Sequence, residues 1–181
     1  MRLGGYASNT LLDRLNAFIW PATMTDQPWD PEALRARLNA YGPYAGAGVL
    51  MTHIAEDASE IRVEMPLTQA NLNLVGTHFG GSLYAMVDPH LMILLMQRLG
   101  ADYVVWDKEA TIDFRRPGVD TVHATIRVTG NEVEQIRAAT GGGEKHLPQW
   151  TLEVLDEQDE VVATVLKTLY VRRKRGPVSG E

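Results

Sequence analysis

Cysteine is missing from this chain. Its absence excludes disulfides, thiolate zinc sites and a cysteine nucleophile, and it fits a cytoplasmic protein. Positive charge is in short supply too: 17 Lys and Arg face 23 Asp and Glu, for a formal net charge of -6. A general nucleic-acid binder needs a basic face to neutralise phosphates, so no nucleic-acid partner is expected, and any anionic ligand has to meet a local basic cluster. The N-terminus lacks the basic start, apolar stretch and small-residue cleavage site of a secretory signal. His53, His123 and His146 have no metal-ligand spacing and no HExxH occurs, so no metal site is expected. Gly141-Gly142-Gly143-Glu144-Lys145 lacks the spaced glycine and Lys-Ser/Thr of a phosphate loop. Ser82 lacks the second glycine of a nucleophile elbow, because Tyr84 stands there. The long apolar run from Ser82 to Leu99 approaches membrane thickness, but Asp88, Pro89 and His90 in its middle would be costly in lipid. It reads as a core helix, and no membrane span is expected.

What is present fits one globular domain: 181 residues, 45% hydrophobic and 22% charged, can bury a core. Leu11, Leu12, Leu15, Phe18 and Ile19 recur at helical spacing ahead of Pro21, predicting an amphipathic helix over residues 9–20. Asp30 and Pro31 supply an N-cap and a first-turn proline for a second helix, running to about Tyr41 before Gly42-Pro43. The period then falls to two. Ile61, Val63 and Met65 alternate with polar neighbours, as do Val122, Ala124, Ile126 and Val128, and then Trp150, Leu152 and Val154. Val161 to Val171 reads as a further strand after the polar turn Asp156-Glu157-Gln158-Asp159, and Ile112 and Phe114 mark one more before Pro117-Gly118. Asn131 with Glu134 reads as a capping box for a short helix that stops at Gly141-Gly142-Gly143. Arg172-Arg173-Lys174-Arg175 and the remaining C-terminal residues read as tail. Residues 1–42 are expected to form an N-terminal helical extension, 43–174 the domain and 175–181 the tail.

Period-two strands leave one sheet face in need of cover, and the 82–99 helix is hydrophobic nearly all round, as an element wrapped by a sheet should be. The predicted class is α+β: a hot-dog fold, with an antiparallel sheet around a central hydrophobic helix. Asn73, Gly76, Thr77, Gly80, Gly81 and, seven positions on, Asp88 resemble the signature of the phenylacetate-pathway type of hot-dog acyl-CoA thioesterases. The longer pattern is FGGSLYAMVDP, then Tyr103-Val104-Val105-Trp106-Asp107-Lys108 and Lys167-Thr168-Leu169-Tyr170. It more closely resembles an uncharacterised bacterial branch of that superfamily, over roughly residues 43–174. One departure is that Phe79 stands where those thioesterases usually have a histidine before the two glycines, with His78 one position earlier.

The resemblance implies a thioester hydrolase acting on an acyl-CoA or acyl-carrier substrate. Coenzyme A enters only as part of that substrate, and the site lies at the interface of a homodimer or a dimer of dimers. Gly80-Gly81 opens the helix, so its first N–H groups are free to meet the oxyanion of a thioester carbonyl. Gly81 and Asp88 are seven apart, nearly two turns, which puts them on one face but about 10 Å apart along the axis. An antiparallel helix from a second copy brings the Asp88 of one chain to the Gly81 of the other. Asp88 is then nucleophile or general base, its pKa raised by apolar surroundings. Pro89, which lacks an N–H, is expected to leave the Ala85 carbonyl unbonded and to bend the helix. Asn73 has two readings, a turn residue or a partner of the carboxylate or the substrate carbonyl. Thr77, His78, Phe79 and Tyr84 are candidate substrate contacts. Lys108, Arg115 and Arg116 either bind the coenzyme A phosphates or mark a solvated strand end. Met86, Met92 and Met96 read as core that can also line an adaptable acyl pocket. Two alternatives stay open. His78-Phe79 resembles the His-Phe of hot-dog dehydratases, although no second proline-glycine segment comes after it, and a non-catalytic acyl-CoA or lipid-binding module fits the displaced histidine.

Overall fold

The computed structural model describes residues 29–174. The helix expected over 9–20 and the 175–181 tail lie outside the described residues. Helix α1 (Pro31–Asn39) begins as expected, with the Asp30 carboxylate accepting from the Ala33 N–H at 2.9 Å and Pro31 in the first turn. It buries Leu34 and Leu38, and Asn39 clamps the next strand by accepting from the Met51 N–H at 2.7 Å and donating to its carbonyl at 3.2 Å. Helix α2 (Gly42–Ala47) ends at Gly48, whose φ of 74° lies in the left-handed region that suits glycine.

Seven strands make up the rest of the framework: β1 (Leu50–Ile54), β2 (Glu60–Met65), β3 (Tyr103–Phe114), β4 (Val122–Arg127), β5 (Lys145–His146), β6 (Gln149–Leu155) and β7 (Val161–Arg173). They form one sheet in the order β1-β2-β4-β6-β7-β3, with β5 also on β7, and every pairing is antiparallel. Between β2 and β3 come helices α3 (Gly80–Ala85) and α4 (His90–Leu99); α5 (Gly130–Ala139) comes after β4. The inward positions of the strands carry Ile61, Val63, Met65, Val122, Ala124, Ile126, Val154, Val165 and Leu169, which meet Leu91, Ile93, Leu94 and Leu95 of α4 in one buried cluster. Full burial of each such leucine contributes about 1.5–3 kcal/mol. The chain thus has the α+β hot-dog architecture, a sheet wrapped on a hydrophobic helix.

Three expectations need correction. The 82–99 run is two helices, not one: α3 ends at Ala85 and α4 begins at His90, because Pro89 cannot donate into the helix ladder. The capping box sits two residues earlier than expected. Thr129 Oγ1 accepts from the Glu132 N–H, and the Glu132 carboxylate accepts from the Thr129 N–H, so Asn131 lies inside α5 and Glu134 caps nothing. Arg172 and Arg173 belong to β7, paired with Val104 and Tyr103, rather than to a tail.

Candidate active site

Where the long helix breaks, a polar centre opens in the core. Asp88 caps the gap between α3 and α4, its N–H bonding the Tyr84 carbonyl at 3.1 Å. Its Oδ1 lies 2.6 Å from Lys167 Nζ and accepts from the Tyr84 hydroxyl at 3.1 Å. Lys167 is completely buried, and its ammonium also lies 2.8 Å from Asp107 Oδ1, while the Asp88 side chain keeps 38% of its surface exposed. The Tyr44 hydroxyl donates to the Asp88 carbonyl and lies 3.3 Å from His90 Nε2, which itself meets the Met86 carbonyl at 3.0 Å.

Asp88 therefore does not sit in apolar surroundings, as the sequence pattern suggested. An ammonium and a phenol face it. Burial and charge shift the groups around it. Burial pushes the Asp107 carboxyl above its ordinary value, against the opposing pull of Lys167. Burial alone would lower the Lys167 ammonium, but its bonds to Asp107 and Asp88 outweigh that and hold it above its ordinary range. The Tyr84 hydroxyl is raised by burial and by the Asp88 charge. Burial lowers His90 to about 4, so it is neutral at neutral pH.

A second feature lies at the start of α3. A cavity of about 490 Å³ brings together Asn73, Thr77, His78, Gly80, Leu83, Phe114, Arg115, Arg116 and Gly118. Asn73 spends its amide on the loop. Its Oδ1 accepts from the Val75 and Thr77 N–H groups at 3.0 Å, and its Nδ2 donates to Thr77 Oγ1 at 2.8 Å and the His78 carbonyl at 3.2 Å. The turn so formed uses Gly76 at φ 87°. His78 is buried, with Nε2 2.8 Å from the Asp120 carbonyl. A carbonyl only accepts, so Nε2 carries the proton and Nδ1 is left without a partner. Burial also lowers the His78 pKa.

Gly80 and Gly81 have a steric reason to be glycine. A Cβ on Gly80 would lie 2.8 Å from the Phe114 ring, and one on Gly81 2.4 Å from the Phe79 ring. Both rings are more than half exposed. Phe79 is the N-cap of α3 without a side-chain cap, and its carbonyl accepts from Ser82 and Leu83. The first N–H groups of α3 thus have no acceptor within the helix. Six residues make too short a helix for a large macrodipole, so its contribution is those amides alone.

The three predicted cations are each engaged. Arg115 lies 3.1 Å from Asp113, Arg116 is bonded to Asp156, and Lys108, in the bulge between Asp107 and Glu109, lies 3.8 Å from Glu109. The structure therefore brings Asn73, Thr77, His78, Gly80, Arg115 and Arg116 to one cavity, and Tyr84 and Asp88 to the polar centre, with Gly81 and Phe79 beside the cavity and Lys108 on the edge strand. Lys167, Asp107, Tyr44 and His90 were not among the predicted site residues. The signal was present for Lys167: it occupies the inward position of the alternation Ala163, Val165, Lys167, Leu169, Val171, where a charge has no place unless something meets it.

An antiparallel sheet over a hydrophobic helix is the hot-dog fold, and solved structures share it. A Pseudomonas aeruginosa protein of unknown function, described as a probable thioesterase, superposes with a TM-score of 0.71 at 22% identity, over 81% of this chain and 98% of that one. A thioesterase of Haemophilus influenzae gives 0.60 at 15% identity, over 84% and 96%. The PaaI protein of E. coli, from the phenylacetic acid degradation operon, gives 0.53 at 21% identity, over 78% and 90%. At these identities the likeness is one of fold. No curated protein matches the chain significantly. Residues 32–171 match the family described as a domain of unknown function, DUF4442, and the chain belongs to that family.

Proposed function

We propose that this protein hydrolyses an acyl thioester, carried by coenzyme A or an acyl carrier, at a site shared between two copies of the chain. The observation that carries the reading is the Asp88 carboxylate. Lys167 and Tyr84 both bind Oδ1, so Oδ2 is bound by neither, and the side chain reaches the surface. Oδ2 then attacks the thioester carbonyl or takes a proton from a water that does. The free amides at Gly80 and Gly81 of the second copy receive the oxyanion. Water is the only co-reactant: the C–S bond breaks, the acid and the thiol leave, and no cofactor is required.

The cavity beside Gly80 is lined by apolar Leu83 and Phe114 and by basic Arg115 and Arg116. That pairing suits an acyl-thioester junction next to a polyanionic carrier. A second copy is supported by β3, which ends the sheet with a twelve-residue edge and leaves Trp106 and Phe114 exposed. Neighbours of the same fold that are described as thioesterases support the chemistry. A CoA ester and a cysteine-free chain suit the cytoplasm. Among the described residues, no helix is long and apolar enough to cross a membrane.

The test is a panel of acyl-CoAs of increasing chain length, with free thiol as the readout. Thiol release supports hydrolysis. Hydration of an enoyl-CoA without thiol release replaces it with a hydratase, and thermal stabilisation by CoA esters with neither reaction makes this a binding module.

A further inference from the structure

We propose that Lys167 is the positioning residue of this site: its ammonium fixes Oδ1 of Asp88 and thereby leaves Oδ2 to face the substrate, while Asp107 anchors the ammonium from the other side. The proposal rests on the reading of Asp88 as the reacting carboxylate. Lys167 shares the inward face of β7 with Ala163, Val165, Leu169 and Val171, all buried and apolar, so the sheet itself has no need of a charge there. An unpaired ammonium in that place would be costly, and one carboxylate, Asp107, is enough to neutralise it. A second carboxylate on the same ammonium therefore calls for another explanation.

Rigidity supplies it. Asp88 stands in the gap between two helices, where no strand or helix ladder fixes its side chain. Lys167 stands in the interior of the sheet, paired with Ala110 of β3 on one side and Trp150 of β6 on the other. A side chain in the connection between two helices is held by one on a sheet strand, which is how a reacting group is kept within a fraction of an ångström of its working place. The other groups facing the ammonium are consistent with this role. Tyr84 on α3 has its ring 5.7 Å from Nζ and bonds the same Oδ1, and Tyr44 on α2 bonds the Asp88 backbone instead. His90 on α4 is buried and neutral and adds no charge. Asp107 on β3 meets the ammonium at 2.8 Å from the other side, and Asp88 accepts from it at 2.6 Å.

The test uses the full-length protein with Lys167→Met, which keeps the length of the stem and removes the ammonium. On the best thioester of the panel, kcat should fall about 100-fold while KM stays within about threefold, because the substrate is still bound and the carboxylate is misplaced. A crystal structure of the variant should show the Asp88 carboxylate turned away from the Tyr84 hydroxyl with α3 and α4 in place. Unchanged kcat, or an Asp88 still bonded to Tyr84, overturns the proposal. Lys167→Met with Asp107→Asn removes the stranded carboxylate and serves if the single variant does not fold. If the native protein releases thiol from no thioester, the catalytic reading of Asp88 falls, and the position of Asp88 in the variant crystal still decides whether Lys167 holds it.

Discussion

Lys167 Nζ stands 2.6 Å from Asp88 Oδ1 across 79 positions of sequence. The contact ties the break between α3 and α4 to the middle of β7, so the place of the carboxylate depends on the register of β3, β6 and β7 as much as on its own helix. It also explains how a carboxylate is tolerated in the most apolar run of the chain. The run is cut in two at that point, and the cut faces a buried ammonium.

The same cut buries His90, which makes stability depend on pH. Burial lowers its imidazole to about 4, whereas in the unfolded chain it titrates near 6.5. Between those values the unfolded state binds more protons, so the unfolding free energy falls as pH drops from about 6.5 to about 4, by up to about 3 kcal/mol. His78, also lowered by burial, adds in the same direction. Urea titrations near neutral pH and near pH 5 should show the loss, and His90→Leu should show a shallower one, whatever it costs at both pH values. An equal pH loss in the variant would remove His90 as the cause.

Arg115 and Arg116 share the cavity wall but differ in what holds them. Arg116 is bonded to Asp156, a half-exposed-to-buried pair, and Asp156 in turn accepts from the Gln158 and Glu160 N–H groups at 3.0 Å to shape the β6–β7 turn. Arg115 makes only an exposed contact with Asp113. Arg115→Glu should therefore raise KM for acyl-CoAs about tenfold with kcat little changed, since phosphate contacts are the same in ground and transition states. Arg116→Glu should do this and also lower the melting temperature. Unchanged KM in both variants moves the phosphate site elsewhere.

The parts of the fold governed by local chemistry were legible. Asp30-Pro31 starts α1, the alternation in 60–65 and 122–127 gives β2 and β4, and Gly141-Gly142-Gly143 lies just beyond the end of α5. The apolar run is legible as core, but Pro89 signals only a bend there, because periodicity stays helical on both sides of it. The capping box is ambiguous in sequence because Thr129 and Asn131 are both good N-caps with a glutamate three positions on, and the structure uses Thr129 with Glu132. The polar centre was half legible. Asp88 carries its own oddity within a helix, but its partners lie on β3 and β7, and pairing at that distance is a property of the sheet register.

The proposed association would use the sheet edge. β3 terminates the sheet with residues 108–111 all exposed, flanked by Trp106 and Phe114, which are also exposed. An edge of this length without a partner is an invitation to pairing. Light scattering at micromolar concentration should give a dimer or a multiple of it. A stable monomer of the chain mass would sink both this expectation and the shared site.

The shared site has its own test. Asp88→Asn keeps the shape of the side chain and removes its charge, so turnover should fall at least about 100-fold while the assembly persists. Lys167 then retains Asp107 as a partner, which limits the cost in stability. Gly81→Leu blocks the other half: even a Cβ at that position would lie 2.4 Å from the Phe79 ring, and the larger side chain covers the amides of α3. Each variant alone should be inactive. Mixed and allowed to exchange subunits, they form heterodimers in which one of the two sites has native Gly81 from the Asp88→Asn chain and native Asp88 from the Gly81→Leu chain. That site is intact, so the mixture should recover activity in proportion to the heterodimer measured by native mass spectrometry, up to about half the native value per dimer. If heterodimers form and no activity returns, the two residues act within one chain or Asp88 is not the reacting group, and Asp88→Asn alone separates these, since full turnover in that variant leaves only the second.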